Sequence, residues 1–203
     1  FSRALGERVV AVVGDSTFFH AAIPALIDAV YNRHAITVAV LDNLTTAMTG
    51  GQPHPGMGIT GTGEPGKRVL IEEVARGCGV ERVFVVDPFD VREATRVFRE
   101  AVRAEGPSLV VFRQKCRLLA VREARRAGRE LPKYRTDPEI CRGLDACGVC
   151  VKAFGCPAFY VREDGKVAID RELCTGCGVC AQVCPHGAIE LVGASEAEGG
   201  GGA

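Results

Sequence analysis

Eight of the ten cysteines in this 203-residue chain fall between Cys141 and Cys184, and only Cys78 and Cys116 precede them. A stretch this dense in thiols folds round disulfides or round metal. Disulfide frameworks spread cysteines through short secreted chains, whereas local C-x2-C runs in a longer chain favour metal. The abrupt rise in cysteine density also marks a domain boundary.

The second run, CTGCGVCAQVCP, sets Cys174, Cys177, Cys180 and Cys184 at C-x2-C-x2-C-x3-C, with Pro185 next. In the bacterial ferredoxin spacing, three thiolates hold three corners of a 4Fe-4S cube and the cysteine before proline serves the other cube. A zinc ribbon fits less well, because structural zinc sites rarely use three such cysteines followed by Cys-Pro. Thr175, Gly176 and Gly178 are small enough for the chain to curl closely round a cluster. The earlier run, CRGLDACGVCVKAFGCP, supplies Cys141, Cys147, Cys150 and Cys156 before Pro157, and it repeats CGVC. This pseudo-symmetry predicts crossed ligation, with Cys141, Cys147, Cys150 and Cys184 on one 4Fe-4S cluster and Cys174, Cys177, Cys180 and Cys156 on the other. The first run departs from regular spacing, with five residues between Cys141 and Cys147 and five between Cys150 and Cys156. Added loop length costs little closure entropy, so the insertion does not by itself abolish a site. A plant-type C-x4-C-x2-C reading and one intact cluster beside an altered one stay open.

Before the cysteines, short β-branched runs alternate with longer amphipathic stretches. RVVAVVG (8–14), ITVAVLD (36–42), RVFVVD (82–87) and SLVVFRQ (108–114) read as strands; residues 18–33, 67–79, 90–102 and 116–128 read as helices. Such alternation predicts an α/β fold, an open parallel sheet with helices on both faces. The expected organisation is an α/β domain over 1–128, a proline- and charge-rich linker over 129–139, a small α+β ferredoxin-like domain over 140–193, and a disordered Gly-rich tail over 194–203.

Charge excludes some partners. The 25 basic residues are matched by 25 acidic ones, so no broad field draws the chain to nucleic acid or an anionic membrane. No apolar run approaches the roughly 20 residues that span a bilayer, and a cytoplasmic protein is expected. The chain begins at Phe1, and further protein upstream is expected.

Two stretches of the α/β domain carry polar residues where an open sheet binds ligands, beyond the carboxyl ends of its strands. GDSTFFH (14–20) follows the first predicted strand, and LDNLTTAMTGGQPHPG (41–56) follows the second. Asp15 and Asn43 would project oxygens into one crevice and suit Mg²⁺, with helix amides nearby for a diphosphate. Taken alone, Asp15 reads more readily as a simple helix cap.

Gly14-Asp15-Ser16, followed after 26 residues by Asn43, is similar to the thiamine-diphosphate motif, with Ser16 where the motif usually has Gly. With TAMTGGQPHPG and the cysteine domain, residues 1–193 resemble the C-terminal part of α subunits in the indolepyruvate:ferredoxin oxidoreductase family. The resemblance implies thiamine diphosphate, Mg²⁺ and two 4Fe-4S clusters as cofactors. It implies that Asp15, Asn43 and the Thr45 carbonyl hold Mg²⁺, and that Gly14, Ser16 and the Thr45–Gly51 loop, with Thr49, Gly50 and Gly51, line the diphosphate. The implied reaction is oxidative decarboxylation of an aryl pyruvate with coenzyme A to an aryl-acetyl-CoA and CO₂, electrons leaving to an external ferredoxin. Implied partners are a pyrimidine-binding N-terminal part of the same subunit, which would carry the activating glutamate, and a second, β subunit; residues 1–203 alone are then expected to be inactive. Oxidoreductases for pyruvate or branched 2-oxo acids, and an electron-transfer module without thiamine, remain alternatives. His54 is the one candidate for contact with substrate, and turn architecture is its competing role. His20, beside Phe18 and Phe19, is expected to be packed, and Cys78 and Cys116 to be buried hydrophobes.

Overall fold

A computed structural model describes residues 2–192; residue 193 and the tail expected over 194–203 lie outside the described residues. The chain divides into two compact units, Phe1–Cys116 and Arg117–Ala203.

The first unit is built on four parallel strands: β1 (Val9–Gly14), β2 (Ile36–Asp42), β3 (Arg82–Val86) and β4 (Ser108–Arg113), ordered β1-β2-β4-β3. β2 and β4 are central and almost wholly buried, and both are rich in the β-branched residues that fit a pleated surface covered on two sides. One face packs Val38, Val40, Leu109 and Val111 against Phe18, Leu26, Ile71 and Ala75, which come from the helical stretch Asp15–Tyr31 and from the helix Ile71–Gly77. The opposite face packs Val86 and Val110 against Val97 and Ala101 of the helix Val91–Arg103. That helix starts where Asp90 accepts a hydrogen bond from the Glu93 amide at 3.0 Å.

The Asp15–Tyr31 stretch begins three residues before the predicted helix and contains a π-turn over Phe18–Ala22. Pro24 has no N–H to donate to the turn before it, which accounts for the irregularity. The altered register buries Phe18 completely and leaves His20 exposed, so the expectation that His20 is packed is corrected. Cys78 and Cys116 are half-buried rather than buried; Cys78 packs against the main core.

In-register pairing runs from Val9 opposite Ile36 to Gly14 opposite Leu41. The residues just past the ends of β1 and β2, Asp15 and Asn43, therefore emerge side by side. The same edge is clamped by Arg113, which donates to Asp42 at 2.6 Å and makes a two-pronged contact with Glu72 at 2.7 and 3.0 Å.

The second unit holds two antiparallel pairs. Tyr134–Thr136 pairs with Ile189–Leu191, and Phe159–Val161 with Val167–Ile169. Two expected boundaries move. The helix Arg117–Arg126 belongs to this unit, and Arg117 donates to the Thr175 carbonyl at 3.2 Å within it. The stretch expected as a linker over 129–139 supplies the strand Tyr134–Thr136, held on either side by Val192 N–H to Lys133 O and Asp137 N–H to Ala188 O, each at 2.8 Å. Its prolines and charges conceal a strand of only three residues.

Arg113 beside Glu72 holds that carboxyl below its ordinary value of 4.5, against the opposing effect of burial. A depressed folded pKa stabilises the fold above the unfolded value, and that stability is lost as pH falls through the folded one. Glu72→Gln is therefore expected to lower the urea midpoint near neutral pH, with the gap to the unsubstituted protein closing below pH 4.5; a gap unchanged in acid would exclude the ion pair as its cause.

Candidate cofactor sites

Asp15 is 3% exposed. Its Oδ1 accepts the Ser16 N–H at 2.7 Å and its Oδ2 the Asn43 N–H at 3.0 Å. The second bond joins the ends of β1 and β2, which a local helix cap does not do. Past Asn43 the backbone turns sharply through Leu44, whose φ of 60° is rare for a branched side chain and marks a built feature. Asp42 Oδ1 accepts the Leu44 N–H at 3.3 Å and Asn43 Oδ1 accepts the Thr45 N–H at 3.2 Å, fixing the bend. Thr45 is buried beneath the loop, which closes through Thr46 N–H to Gln52 O at 3.1 Å and Gly51 N–H to Thr46 O at 3.0 Å. Gly50 and Gly51 take φ of 120° and 86°.

Asp15, Asn43 and Thr45 thus share one corner, with Gly14 and Ser16 beside Asp15. Thr49, Gly50 and Gly51 form an exposed rim, where the Thr49 hydroxyl is turned to Gln52 Oε1 at 2.7 Å. A carboxylate, an amide oxygen and a peptide carbonyl are the hard oxygen donors that Mg²⁺ takes, so this donor set fits that ion beside a diphosphate.

His54 lies in the same corner, and it is buried. Its ring stacks on Phe19 with centroids 5.8 Å apart, its Nδ1 accepts the Gly56 N–H at 3.2 Å, and its Nε2 lies 3.2 Å from Asp15 Oδ2. With Nδ1 acting as acceptor, the proton of a neutral ring sits on Nε2. That atom faces the carboxylate off the line of a good hydrogen bond and is otherwise unpartnered. Packing on all sides turns the ring to Asp15 and away from solvent.

In the second unit the cysteines sort into two cavities of similar size. One is lined by Cys141, Cys147, Cys150 and Cys184, the other by Cys156, Cys174, Cys177 and Cys180. Each cavity takes three cysteines from one run and the Cys-Pro cysteine from the other. The five residues between Cys141 and Cys147 are taken up by a short helix, Gly143–Ala146, tied to the Gly165 carbonyl through Leu144 N–H at 2.9 Å. Cys141 thereby reaches its cavity. Amides of Gly143 and Ala188 point at the sulfurs of Cys141 and Cys184, at 3.4 and 3.3 Å.

Burial, then the neighbouring Cys177 and Cys174, push the Cys180 thiol up to about 11, and burial also raises Cys150. A thiol raised in this way gives up its proton when a cation binds the sulfur. Among the described residues no three His, Cys, Asp or Glu side chains converge on a single ion; a cube spreads its thiolates over different irons, whereas zinc draws four ligands onto one centre.

Residues outside the motifs also shape these corners. Phe19, Asp42 and Thr136 escaped sequence reasoning: Phe19 reads as core, Asp42 as a strand end, and Thr136 sits in a presumed linker. A carboxylate just before Asn43 was the one available signal, since Asx side chains fix turns of this kind.

The folds and the two sets of donors define a thiamine-cofactor domain joined to an iron–sulfur domain. A family model described as thiamine pyrophosphate enzyme, C-terminal TPP binding domain, matches residues 2–112, and the chain belongs to that family. A model described as 4Fe-4S binding domain matches residues 167–190. Indolepyruvate oxidoreductase subunit IorA of Pyrococcus horikoshii is 50% identical over 185 residues, covering 91% of this chain and 28% of the relative. The subunit of that name from Archaeoglobus fulgidus is 46% identical over 189 residues, covering 93% and 29%. The formate dehydrogenase iron-sulfur subunit of Wolinella succinogenes is 49% identical over 42 residues, covering 21% of this chain and 21% of its own. The chain thus spans less than a third of the length of the indolepyruvate oxidoreductase subunits it matches.

Gly176 sits at φ +70°, and a Cβ there would fall 2.1 Å from the Pro132 carbonyl oxygen. Gly176→Ala is therefore expected to disrupt the loop that carries Cys174 and Cys177, with loss of about half the bound iron if each cavity holds one cube. A colorimetric iron assay on the purified variant reads this directly.

Proposed function

We propose that this chain is the cofactor-binding and electron-exit part of a thiamine-diphosphate-dependent 2-oxoacid:ferredoxin oxidoreductase. The observation that carries the reading is the presence, in one chain, of a buried Asp15–Asn43–Thr45 oxygen corner and two cavities of four cysteines each. A decarboxylase that passes no electrons needs no cysteine unit. The name of the relatives points to indolepyruvate as substrate, and the same reading takes in aryl pyruvates generally, with coenzyme A as acyl acceptor.

Bound thiamine diphosphate supplies the carbanion-stabilising chemistry that lets a 2-oxo acid lose CO₂. Asp15, Asn43 and the Thr45 carbonyl would hold Mg²⁺, while Gly14, Ser16 and the rim of Thr49, Gly50 and Gly51 would line the diphosphate. His54 orients: its Nε2–H, backed by Phe19 and Gly56, keeps the Asp15 carboxylate turned to the corner. Two 4Fe-4S clusters on the crossed cysteine sets would take electrons singly and deliver them to an external ferredoxin. A pyrimidine-binding part of the same subunit, carrying the activating glutamate, and a β subunit complete the proposed enzyme. Among the described residues no helix is long and apolar enough to cross a membrane.

The reading is tested by calorimetric titration of the anaerobically reconstituted protein with thiamine diphosphate and Mg²⁺, beside iron and acid-labile sulfide counts. The unsubstituted protein is expected to bind the cofactor and to carry about eight irons per chain, two cubes of four. About four irons would sink the two-cluster reading, and absence of binding would sink the thiamine reading. Asp15→Ala should abolish binding with iron unchanged.

His54→Leu should weaken Mg²⁺-dependent binding about tenfold or more, as loss of a ligand-orienting partner does. His54→Gln, which keeps a donor, should retain most of it; equal losses in the two variants would make His54 a packing residue only. Substrate class follows from turnover of the complete enzyme across aryl and alkyl 2-oxo acids.

A further inference from the structure

Among the described residues, two buried side-chain polar atoms have no hydrogen-bond partner: His54 Nε2, facing Asp15, and Thr136 Oγ1. A buried hydroxyl left unpaired is destabilising, so a native protein rarely keeps one without a reason. Thr136 lines the cavity of Cys141, Cys147, Cys150 and Cys184, where Val167, Ala188 and Ile189 supply apolar wall.

An internal repeat shows what this position ordinarily holds. TDPEIC (136–141) recurs as IDRELC (169–174), each leading into a cysteine run. The two copies fold alike. Asp137 and Asp170 each accept the amide two residues on, from Glu139 and Glu172, at 2.8 Å. Each donates its own amide at 2.8 Å to an alanine that follows a Cys-Pro pair, Ala188 or Ala158, and each carbonyl receives the N–H of the first cysteine at 3.0 Å. Ile169 lines the second cavity as Thr136 lines the first. Matched backbones thus place an isoleucine against one cavity and a threonine, whose buried hydroxyl has no partner, against the other. Valine is nearly isosteric with threonine and would fill the site without stranding a polar atom.

We propose that the Thr136 hydroxyl donates a hydrogen bond to a sulfur of the cluster held by Cys141, Cys147, Cys150 and Cys184, and raises that cluster's reduction potential. The acceptor is a thiolate or an inorganic sulfide. Strand pairing fixes the backbone, with Thr136 opposite Ile189, and β-branching restricts χ1, so the donor is held in place. An O–H aimed at sulfur stabilises the extra electron of the reduced cluster, as hydrogen bonds to cluster sulfurs do in general. The donor adds to the amides of Gly143 and Ala188 on the ligands of that cavity. Ile169 offers its own cavity no hydroxyl at the matching position, although Tyr134 and Thr175 also line that cavity, so Thr136 supplies a donor particular to its position in the first site.

The inference rests on the two-cluster reading, and a redox titration followed by electron paramagnetic resonance on the reconstituted protein separates the two. With iron for two clusters present, Thr136→Val should move one cluster to a more negative potential and leave the other in place, while Thr136→Ser keeps the original value. Full iron with both potentials unmoved in Thr136→Val overturns the role of Thr136 and leaves the clusters standing. Iron for one cluster only in the unsubstituted protein overturns the two-cluster reading, and this inference with it. Should Thr136→Val fail to take up iron, Ile169→Thr decides: a raised potential of the other cluster supports the mechanism, and an unmoved one overturns it.

Discussion

The hydrogen bond from the Asn43 amide to Asp15 Oδ2 ties together the ends of two strands that are neighbours only because the sheet is parallel and in register. A one-residue slip of β1 against β2 would move Gly14 away from Leu41 and turn alternate side chains to the wrong face. Asp15 would then leave Asn43, and His54 would face nothing. Val13 of β1 packs into the same core as Val38 and Val40 of β2, which fixes that register from one face, the other face of β1 being exposed at Val10 and Val12. The polar corner therefore inherits its geometry from the core beneath it, and the strain at Leu44 is tolerated because Asp42, Asn43 and the Cys116 amide on the Asn43 carbonyl all restrain the same bend.

The iron–sulfur unit solves a different problem with a repeated element. Its described strands are three residues long and could not sustain a sheet alone. Order comes from hydrogen bonds in each copy of the Asp-x-Glu-x-Cys turn and from side chains that reach loop carbonyls: Lys133 to Cys174 at 2.6 Å, and Arg117 to Thr175. Such a scaffold tolerates insertion where the added residues fold back on themselves. The short helix Gly143–Ala146 does so by docking on Gly165, and the π-turn Cys150–Phe154 absorbs the other lengthened interval. Irregular spacing in the first run is thus compatible with a cavity that matches its partner.

Strand and helix alternation, the pairing of Asp15 with Asn43 and the crossed sorting of cysteines were legible because each depends on short-range pattern: β-branched runs, residues just past strand ends, and fixed C-x2-C steps. The boundary near residue 117 was not, since helix Arg117–Arg126 continues the α/β alternation and only its contact with Thr175 assigns it elsewhere. Tyr134–Thr136 was hidden for a related reason, because a strand of three residues carries no periodicity and is defined by its partner Ile189–Leu191. His54 was singled out with turn architecture as one of its two roles, and its Nδ1 does hold the Gly56 turn, but its contact with Asp15 was not legible, because the Phe19 ring stacked on it lies 35 positions earlier in the chain.

The two stranded polar atoms fall one in each unit, and each stands where the donor sets place a cofactor. Elsewhere among the described residues buried side-chain polar atoms are paired, as where Thr37 and Ser108 share a 2.9 Å contact and both reach the Ala101 carbonyl. The Thr136 hydroxyl carries a local free-energy cost that an added acceptor would offset, whereas His54 Nε2 already has the Asp15 carboxylate 3.2 Å away. The Cys180 thiol, pushed up first by burial and then by Cys177 and Cys174, is a further group that a bound cation would stabilise as thiolate. Whatever binds to the native state and not to the unfolded chain returns that cost as stability. On the proposed reading, the residues that would hold the cofactors are also those whose burial is costly without them, so cofactor binding would add stability.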